Sequence, residues 1–130
     1  LSGFILLFVV LAALASLAAR LSAQPGIKRT ELQRHDLSVP GHEFVQAQIN
    51  FDAGASFGKH THPGEEIIYV LKGTLDYQVA GKPTATCKQG DVLYIPAGAI
   101  HAATNIGQGE AIELATYFVE KGRPLVVMVK

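Results

Sequence analysis

A short segment of the sequence contains residues that are common ligands of transition metals. His60 and His62 are separated by one residue, and side chains two apart on a β-strand point to the same face. The two imidazoles can therefore reach one common point. A carboxylate can join them after the Pro63-Gly64 turn, but the turn interrupts the alternation of the strand. Strand parity alone therefore leaves Glu65 and Glu66 as alternatives.

His101 is the candidate for a further ligand from a distant part of the chain. It begins a predicted strand directly after the turn Pro96-Ala97-Gly98. Imidazole and carboxylate groups suit iron, manganese, nickel, copper or zinc. Neutral imidazoles and a single carboxylate leave a divalent ion with net positive charge, so the ion can polarise a substrate that chelates it through oxygen. We therefore predict a site for one divalent transition metal ion.

Short β-strands are the elements that must position these residues. The chain has 13 Gly and 6 Pro, and between them lie short runs rich in Val, Ile, Thr, Tyr and Phe. The predicted strands cover residues 44–51, 66–71, 74–79, 84–88, 91–95, 101–105, 111–119 and 125–129. Strands at this spacing, separated by Gly and Pro turns, predict an all-β domain that closes as an antiparallel barrel or jelly roll.

The amino-terminal residues differ in composition from the rest of the chain. Residues 1–23 are dominated by Leu, Ala, Val and Phe, and this predicts a signal peptide with cleavage after Ala18 or Ala23. The alternative is an uncleaved membrane anchor, because a span needs about 20 apolar residues. We expect an extended arm over residues 24–43 and the barrel over residues 44–130. The protein would then be periplasmic or secreted, and would contact a membrane only through an uncleaved leader.

Charge and cysteine content argue against a nucleic acid partner, an intramolecular disulfide and a thiol ligand. The chain has 11 Lys plus Arg against 11 Asp plus Glu, so there is no electrostatic reason to expect a nucleic acid partner. Its one cysteine, Cys87, cannot form an intramolecular disulfide. No Cys or His stands beside it at ligand spacing, so we expect a small buried strand residue rather than a thiol ligand.

Two motifs in the sequence resemble those of the cupin family. They are Gly54-x(5)-His60-x-His62-x(3)-Glu66-x(6)-Gly73 and Gly90-x(5)-Pro96-x-Gly98-x(2)-His101-x(3)-Asn105. The chain is most similar to small single-domain bacterial cupins, including quercetinase-like metal cupins. The resemblance selects Glu66 over Glu65 and implies a cupin β-barrel, that is, a double-stranded β-helix or jelly roll. It also implies a homodimer and these metal ligands: His60, His62, Glu66 and His101.

The resemblance does not specify one reaction, because cupins include dioxygenases, isomerases and decarboxylases. We expect a metal-dependent, dioxygenase-like oxidoreductase that acts on a small oxygen-chelating organic substrate. The alternatives are a non-redox isomerase or decarboxylase, and a barrel that binds a metal or small molecule without turnover. No second acid or base stands out in the sequence, so Glu66 is also the candidate catalytic proton carrier.

An apolar wall is expected around the metal. Its candidate residues are Phe57, Ile68, Val70, Tyr94, Ala103 and Leu114. Tyr69 or Tyr94 could also offer a hydroxyl near the ion, but a tyrosine whose ring packs and whose hydroxyl reaches solvent is the commoner case. His35 and His42 lie in the polar arm outside both motifs, and we expect both to be solvated and without a functional role.

Overall fold

The computed structural model describes residues 24–130, and every regular element in this part is a β-strand. The strands are β1 (Ile27–Asp36), β2 (His42–Phe51), β3 (Ser56–Thr61), β4 (Gly64–Lys72), β5 (Thr74–Val79), β6 (Ala85–Lys88), β7 (Val92–Ile95), β8 (His101–Asn105), β9 (Ala111–Glu120) and β10 (Val127–Met128). The predicted all-β class is confirmed. The predicted leader, residues 1–23, lies outside the described residues. Within them, no helix has the length and apolarity needed to cross a membrane.

The strands form two five-stranded antiparallel sheets that enclose one interior. Their orders are β1-β2-β9-β4-β7 and β10-β3-β8-β5-β6. Side chains alternate strictly along β2 and β9, so every second residue of each strand faces inward. The inward side chains of both sheets pack into one core, whose largest fully buried members include Tyr77, Tyr117, Phe51, Ile68, Leu75 and Ile95. This is the predicted cupin-type barrel.

Two strands were not predicted from the sequence. β1 lies inside the segment assigned to an extended arm, and it pairs with β2 along most of its length. It is the edge strand and nearly all its residues are exposed, so it carries no apolar alternation that would mark a strand. β3 pairs with β8, but the register shifts between Phe57 and His60. This irregularity removes the simple alternation there.

Asn105 ties the turns at one end of the barrel together. Its side chain is 1% exposed, and its Nδ2 donates to the carbonyls of Phe51, Asp52 and Gly109. Its Oδ1 accepts from the backbone N–H of Gly107 at 2.9 Å. The side chain thus satisfies buried backbone groups that have left the strand ladders.

Gly64 allows β4 to begin in close contact with β9. A Cβ atom at this position would lie 1.9 Å from the carbonyl oxygen of Phe118 and 2.8 Å from the Cα of Val119. Both obstructing atoms belong to the backbone of a central strand, so neither can shift without disrupting the packing of the sheet. The glycine therefore sets how β4, and with it Glu66, enters the sheet.

We predict that Gly64→Ala lowers the free energy of unfolding by about 3 kcal/mol or more, because the added methyl group overlaps backbone atoms. Urea unfolding followed by circular dichroism measures this loss. Gly109→Ala is the matched control, since a Cβ there meets nothing within 4 Å. The control should change stability by no more than about 0.5 kcal/mol. Equal stability of the two variants would show that the barrel tolerates a wider spacing of β4 and β9.

Candidate metal centre

Three buried histidines meet inside the barrel. His60 on β3 and His101 on β8 are direct partners in the strand register. His62 follows β3 by one residue, and its imidazole centroid lies 4.8 Å from that of His60. The candidate ligand atoms of the three side chains all lie within 4.8 Å of one another. Imidazoles this close and this deeply buried suit a metal ion.

Backbone carbonyls orient all three imidazoles. The Nδ1 atoms of His60 and His101 lie 2.7 Å and 2.9 Å from the carbonyl oxygens of Gly58 and Ala99. The Nδ1 of His62 lies 2.6 Å from the carbonyl oxygen of Leu125. A carbonyl can only accept a hydrogen bond, so each Nδ1 carries the proton and donates. The Nε2 atoms are then the ligand atoms, oriented as in most histidine metal sites.

Glu66 reaches the same point from the opposite sheet. Its side chain is buried, and its Oε2 lies 3.0 Å from Nε2 of both His62 and His101. Glu65 is only half-buried and falls on the other face of β4. The structure thus brings together the predicted residues His60, His62, Glu66 and His101, and it separates Glu65 from them.

The electrostatics of this cluster fit a cation. Burial, reinforced by the neighbouring imidazole of His101, lowers the pKa of His60 to about 4, so this side chain is neutral at pH 7. Burial alone would raise the pKa of Glu66, but the imidazoles of His101 and His62 outweigh it and lower the pKa to about 2. Burial would likewise lower the pKa of His101, yet its hydrogen bond to Glu66 raises it. The cluster therefore presents an ionised carboxylate and at least one neutral imidazole.

The Nε2 atom of His62 has no hydrogen-bond partner, although it is buried. Its 3.0 Å approach to Oε2 of Glu66 lacks the alignment of a hydrogen bond. A buried polar atom without a partner costs free energy, and native structures rarely leave one. A metal ion between this nitrogen and the carboxylate would satisfy both atoms, so the residues present fit the predicted cofactor.

Part of the expected apolar wall is placed correctly. Phe57, Ile68 and Ala103 line the interior cavity beside the histidines, and Phe57 packs edge-on against His60 at a centroid distance of 4.5 Å. Val70 is buried in the core but does not line this cavity. The prediction that Tyr94 belongs to this wall is wrong, because Tyr94 is 56% exposed on the outer face of β7.

Leu114 is also misplaced, since it pairs with Gln48 on the outward phase of β9. Tyr69, like Tyr94, is exposed, so neither tyrosine offers a hydroxyl to the interior. Because β4 and β7 carry apolar side chains on both faces, their sequences do not indicate which face points inward.

Polar residues that the sequence analysis missed also face the interior. Glu113 on β9 is 4% exposed and accepts a hydrogen bond from the hydroxyl of Tyr77 on β5. Tyr117 is 1% exposed, and its ring packs against that of His62 at a centroid distance of 4.7 Å. Every second residue of β9 is buried, and this inward set comprises Ala111, Glu113, Ala115, Tyr117 and Val119. Because the alanines and the valine of this set mark the inward face, the alternation could have predicted that Glu113 and Tyr117 also face the interior.

The four predicted ligand residues line a small interior cavity of about 20 Å³. The cavity wall also includes Glu113, Tyr77, Tyr117 and, from β1, Arg29. This volume is about that of one water molecule, so only a small ligand enters without movement of side chains. Outside it, a surface groove of about 480 Å³ passes His62 and continues along Gly64 and Arg123.

Glu113 has an environment that favours its protonated form. Burial, followed by the charge of Glu66, raises its pKa to about 8, against the opposing effects of Tyr77 and Arg29. Below about pH 4.5, the ordinary value, the carboxyl is protonated in the folded and the unfolded chain alike. Between there and about pH 8 only the folded chain retains the proton, so the free energy of unfolding falls as the pH rises.

We predict that Glu113→Gln reduces this fall in the metal-free protein by about 2 kcal/mol or more, at about 1.4 kcal/mol per pKa unit. Urea unfolding of chelator-treated protein at about pH 5 and about pH 8 measures the effect, because most of the expected fall lies between these values. Glu110→Gln is the control, because that side chain is exposed just before β9. Parallel pH dependence in wild type and Glu113→Gln would contradict the buried neutral carboxyl.

Comparison with known proteins agrees with this architecture. The family profile described as "Cupin domain" matches residues 47–128. Germin-like protein 1-1 of Oryza sativa subsp. japonica is 37% identical over 76 residues, which are 55% of this chain and 35% of the rice protein. The chain thus spans about a third of the length of this curated relative.

Solved structures share the fold. An oxalate oxidase in complex with the substrate analogue glycolate has a TM-score of 0.67 at 26% identity, over 83% of this chain and 57% of the oxidase. A cupin-like protein of Thermotoga maritima has a TM-score of 0.65 at 24% identity, over 79% of this chain and 75% of that protein. The plant relatives support the cupin assignment but not the bacterial, quercetinase-like type suggested by the motifs. The matched profile covers more than half of the sequence, and the chain therefore belongs to the cupin family.

Proposed function

We propose that this cupin binds one divalent transition metal ion and uses it as a dioxygenase-like oxidoreductase. The proposed ligands are His60, His62, Glu66 and His101. The observation that carries the proposal is the convergence of three imidazoles whose Nδ1 atoms are already committed to backbone carbonyls. Nitrogens held in this way need little reorganisation to bind an ion.

Iron, manganese, nickel, copper and zinc all suit this set of nitrogen and oxygen donors. A bound ion of this kind supplies Lewis-acid polarisation and, where it is redox-active, electron transfer. The protein contributes the orientation of the imidazoles and a carboxylate that offsets part of the positive charge. The pKa of His101 is raised by its hydrogen bond to Glu66, and an ion at Nε2 would compete with the proton of that hydrogen bond.

The proposed substrate is a small organic compound that chelates through oxygen. The interior cavity is too small for a larger ligand unless side chains move. The likeness to an oxalate oxidase that binds the substrate analogue glycolate supports both the oxidoreductase class and the small size of the substrate. The likeness covers just over half of that enzyme, so the reaction itself is part of the proposal.

Glu66 is the proposed proton carrier of the reaction. Its Oε2 lies 3.0 Å from Nε2 atoms that are themselves proposed metal ligands, so Glu66 would carry a proton only when its carboxylate is released from the ion. Glu113 is a second buried carboxyl on the wall of the same cavity. The lowered pKa of Glu66 keeps its carboxylate ionised and suits metal binding, whereas the raised pKa of Glu113 suits donation of a proton.

We predict that His101→Ala weakens metal binding by more than about 100-fold, because it removes one ligand and leaves Glu66 without its hydrogen-bonded partner. Elemental analysis and competition with a chelator measure the affinity, and circular dichroism checks that the variant is folded. His35→Ala is the matched control, since this exposed ring only packs beside Phe44. Equal metal affinity of wild type and His101→Ala would overturn the proposed site.

Oxygen uptake by protein loaded with each metal distinguishes the classes of reaction. Glycolate, oxalate and catechols are suitable test compounds, because each can chelate through oxygen. Oxygen consumption that needs both metal and substrate supports the oxidoreductase. Turnover without oxygen would indicate an isomerase or decarboxylase, and recovery of unchanged ligand after tight binding would indicate a binding protein.

The proposed homodimer has a candidate surface on the outer face of β4 and β7. Ile67 pairs with Tyr94 and Tyr69 pairs with Val92, and all four side chains are exposed. Adjacent exposed apolar residues of this kind commonly lie in subunit interfaces. Sedimentation velocity tests the proposal, and a monomer at micromolar concentration would refute it.

Export is proposed on the composition of residues 1–23 alone, with a periplasmic or secreted mature protein. An uncleaved leader is the alternative, and it would be the only part in contact with a membrane. Amino-terminal sequencing of protein isolated from its own host decides between them. Retention of residues 1–23 would exclude a cleaved signal peptide.

A further inference from the structure

Arg29 connects the edge strand β1 to the interior cavity. It pairs with Ile49 on β2, so its side chain lies on the strand face that points into the barrel. Among the residues that line the cavity, only Arg29, Phe57 and Val126 are not buried. These three residues therefore mark the side on which the cavity meets solvent. Arg29 also lies outside the segment matched by the family profile, so it is a feature of this chain that the match does not describe.

A tyrosine holds the guanidinium group in place. Nη1 of Arg29 donates to the hydroxyl of Tyr117 at 3.1 Å, and its Cζ lies 5.1 Å from the centroid of the same ring. The ring of Tyr117 also contacts the candidate metal site, because its centroid lies 4.7 Å from that of the His62 ring. One buried tyrosine thus separates the guanidinium group from the imidazole cluster.

Arg29 has no anionic partner within the described part of the chain. The ion pairs of residues 24–130 do not include it, and its side-chain hydrogen bond goes to a neutral hydroxyl. The carboxyl groups on the cavity wall are already engaged. Glu66 contacts His62 and His101, and Glu113 accepts from Tyr77.

The charge at the open side of the cavity is therefore positive. An arginine has five N–H donors, and the contact with Tyr117 uses only part of them. Guanidinium groups bind carboxylates with two parallel hydrogen bonds where the geometry allows. A small anion in the cavity beside Tyr117 would meet a cationic donor on one side and the proposed metal site on the other.

We propose that Arg29, positioned by Tyr117, binds the carboxylate of a small organic acid at the open side of the cavity, next to the metal site. The inference rests on the proposed function and specifies its substrate class as a small carboxylate anion rather than a neutral chelator. A neutral diol or diketone would leave the guanidinium without a charged partner.

Glycolate and glycolamide are the probes, because they have the same size and both offer oxygen donors, but only glycolate is an anion. Isothermal titration of the metal-loaded chain at fixed ionic strength measures both affinities. Arg29→Gln should weaken glycolate binding by about 10-fold to 100-fold, the effect of a lost hydrogen bond between charged groups. It should change glycolamide binding by less than about 3-fold.

Lys28→Gln is the matched control, since it removes one positive charge from the opposite face of the same strand. Its glycolate affinity should equal that of wild type, which separates a specific contact from a change in net charge. Circular dichroism and metal content are measured on the same samples, so that each variant is compared as folded, loaded protein.

The results separate this inference from the proposed function. If all variants take up metal, and wild type and Arg29→Gln bind glycolate with equal affinity, Arg29 does not bind the carboxylate. The proposed metal site is then unaffected. Equal losses for glycolate and glycolamide also overturn the role of Arg29, because the contact would then not recognise charge. Failure of the wild-type chain to bind metal overturns both, since the anion would lack its second contact.

Discussion

The candidate metal centre depends on the hydrogen bonds that orient its imidazoles. Each Nδ1 atom donates to a backbone carbonyl, and those of Gly58 and Ala99 lie two residues before the histidines they hold. The third carbonyl, that of Leu125, comes from a distant part of the chain and holds His62. Since a carbonyl cannot donate, these contacts turn the Nε2 atoms toward one another and toward Glu66 in a buried space. Such an arrangement is unfavourable without a cation and favourable with one.

The two sheets supply different parts of this centre. The sheet that contains β3 and β8 contributes the histidines, and the sheet that contains β4 contributes Glu66. The site is complete only when the sheets pack face to face, so the folding of the barrel and the assembly of the cluster are one event. Register is critical, because a slip of one residue in β4 would turn Glu66 outward and place Glu65 or Ile67 in the cavity.

The inner face also carries polar groups beyond the four candidate ligands. Glu113, Tyr77 and Tyr117 are buried, and each makes at least one hydrogen bond inside the barrel. Buried polar groups stabilise a fold less well than apolar ones of the same size. Their position on the wall of the cavity is consistent with a chemical role, because they surround the space where a ligand would lie.

The sequence by itself determined the class of fold and the four residues of the candidate centre. Turns rich in Gly and Pro that separate short apolar strands indicate the fold class, and local chemistry indicates the three histidines. Strand parity leaves Glu65 and Glu66 open, and only the resemblance of the two motifs to those of cupins selects Glu66. Only the tertiary structure decided which face of each strand points inward. Tyr94 and Leu114 are apolar and lie outside, whereas Glu113 is acidic and lies inside, because pairing with neighbouring strands rather than side-chain polarity sets the phase. It also made β1 a strand and brought Arg29 to the cavity, since an exposed edge strand is held by hydrogen bonds to its neighbour that leave no pattern in its own residues.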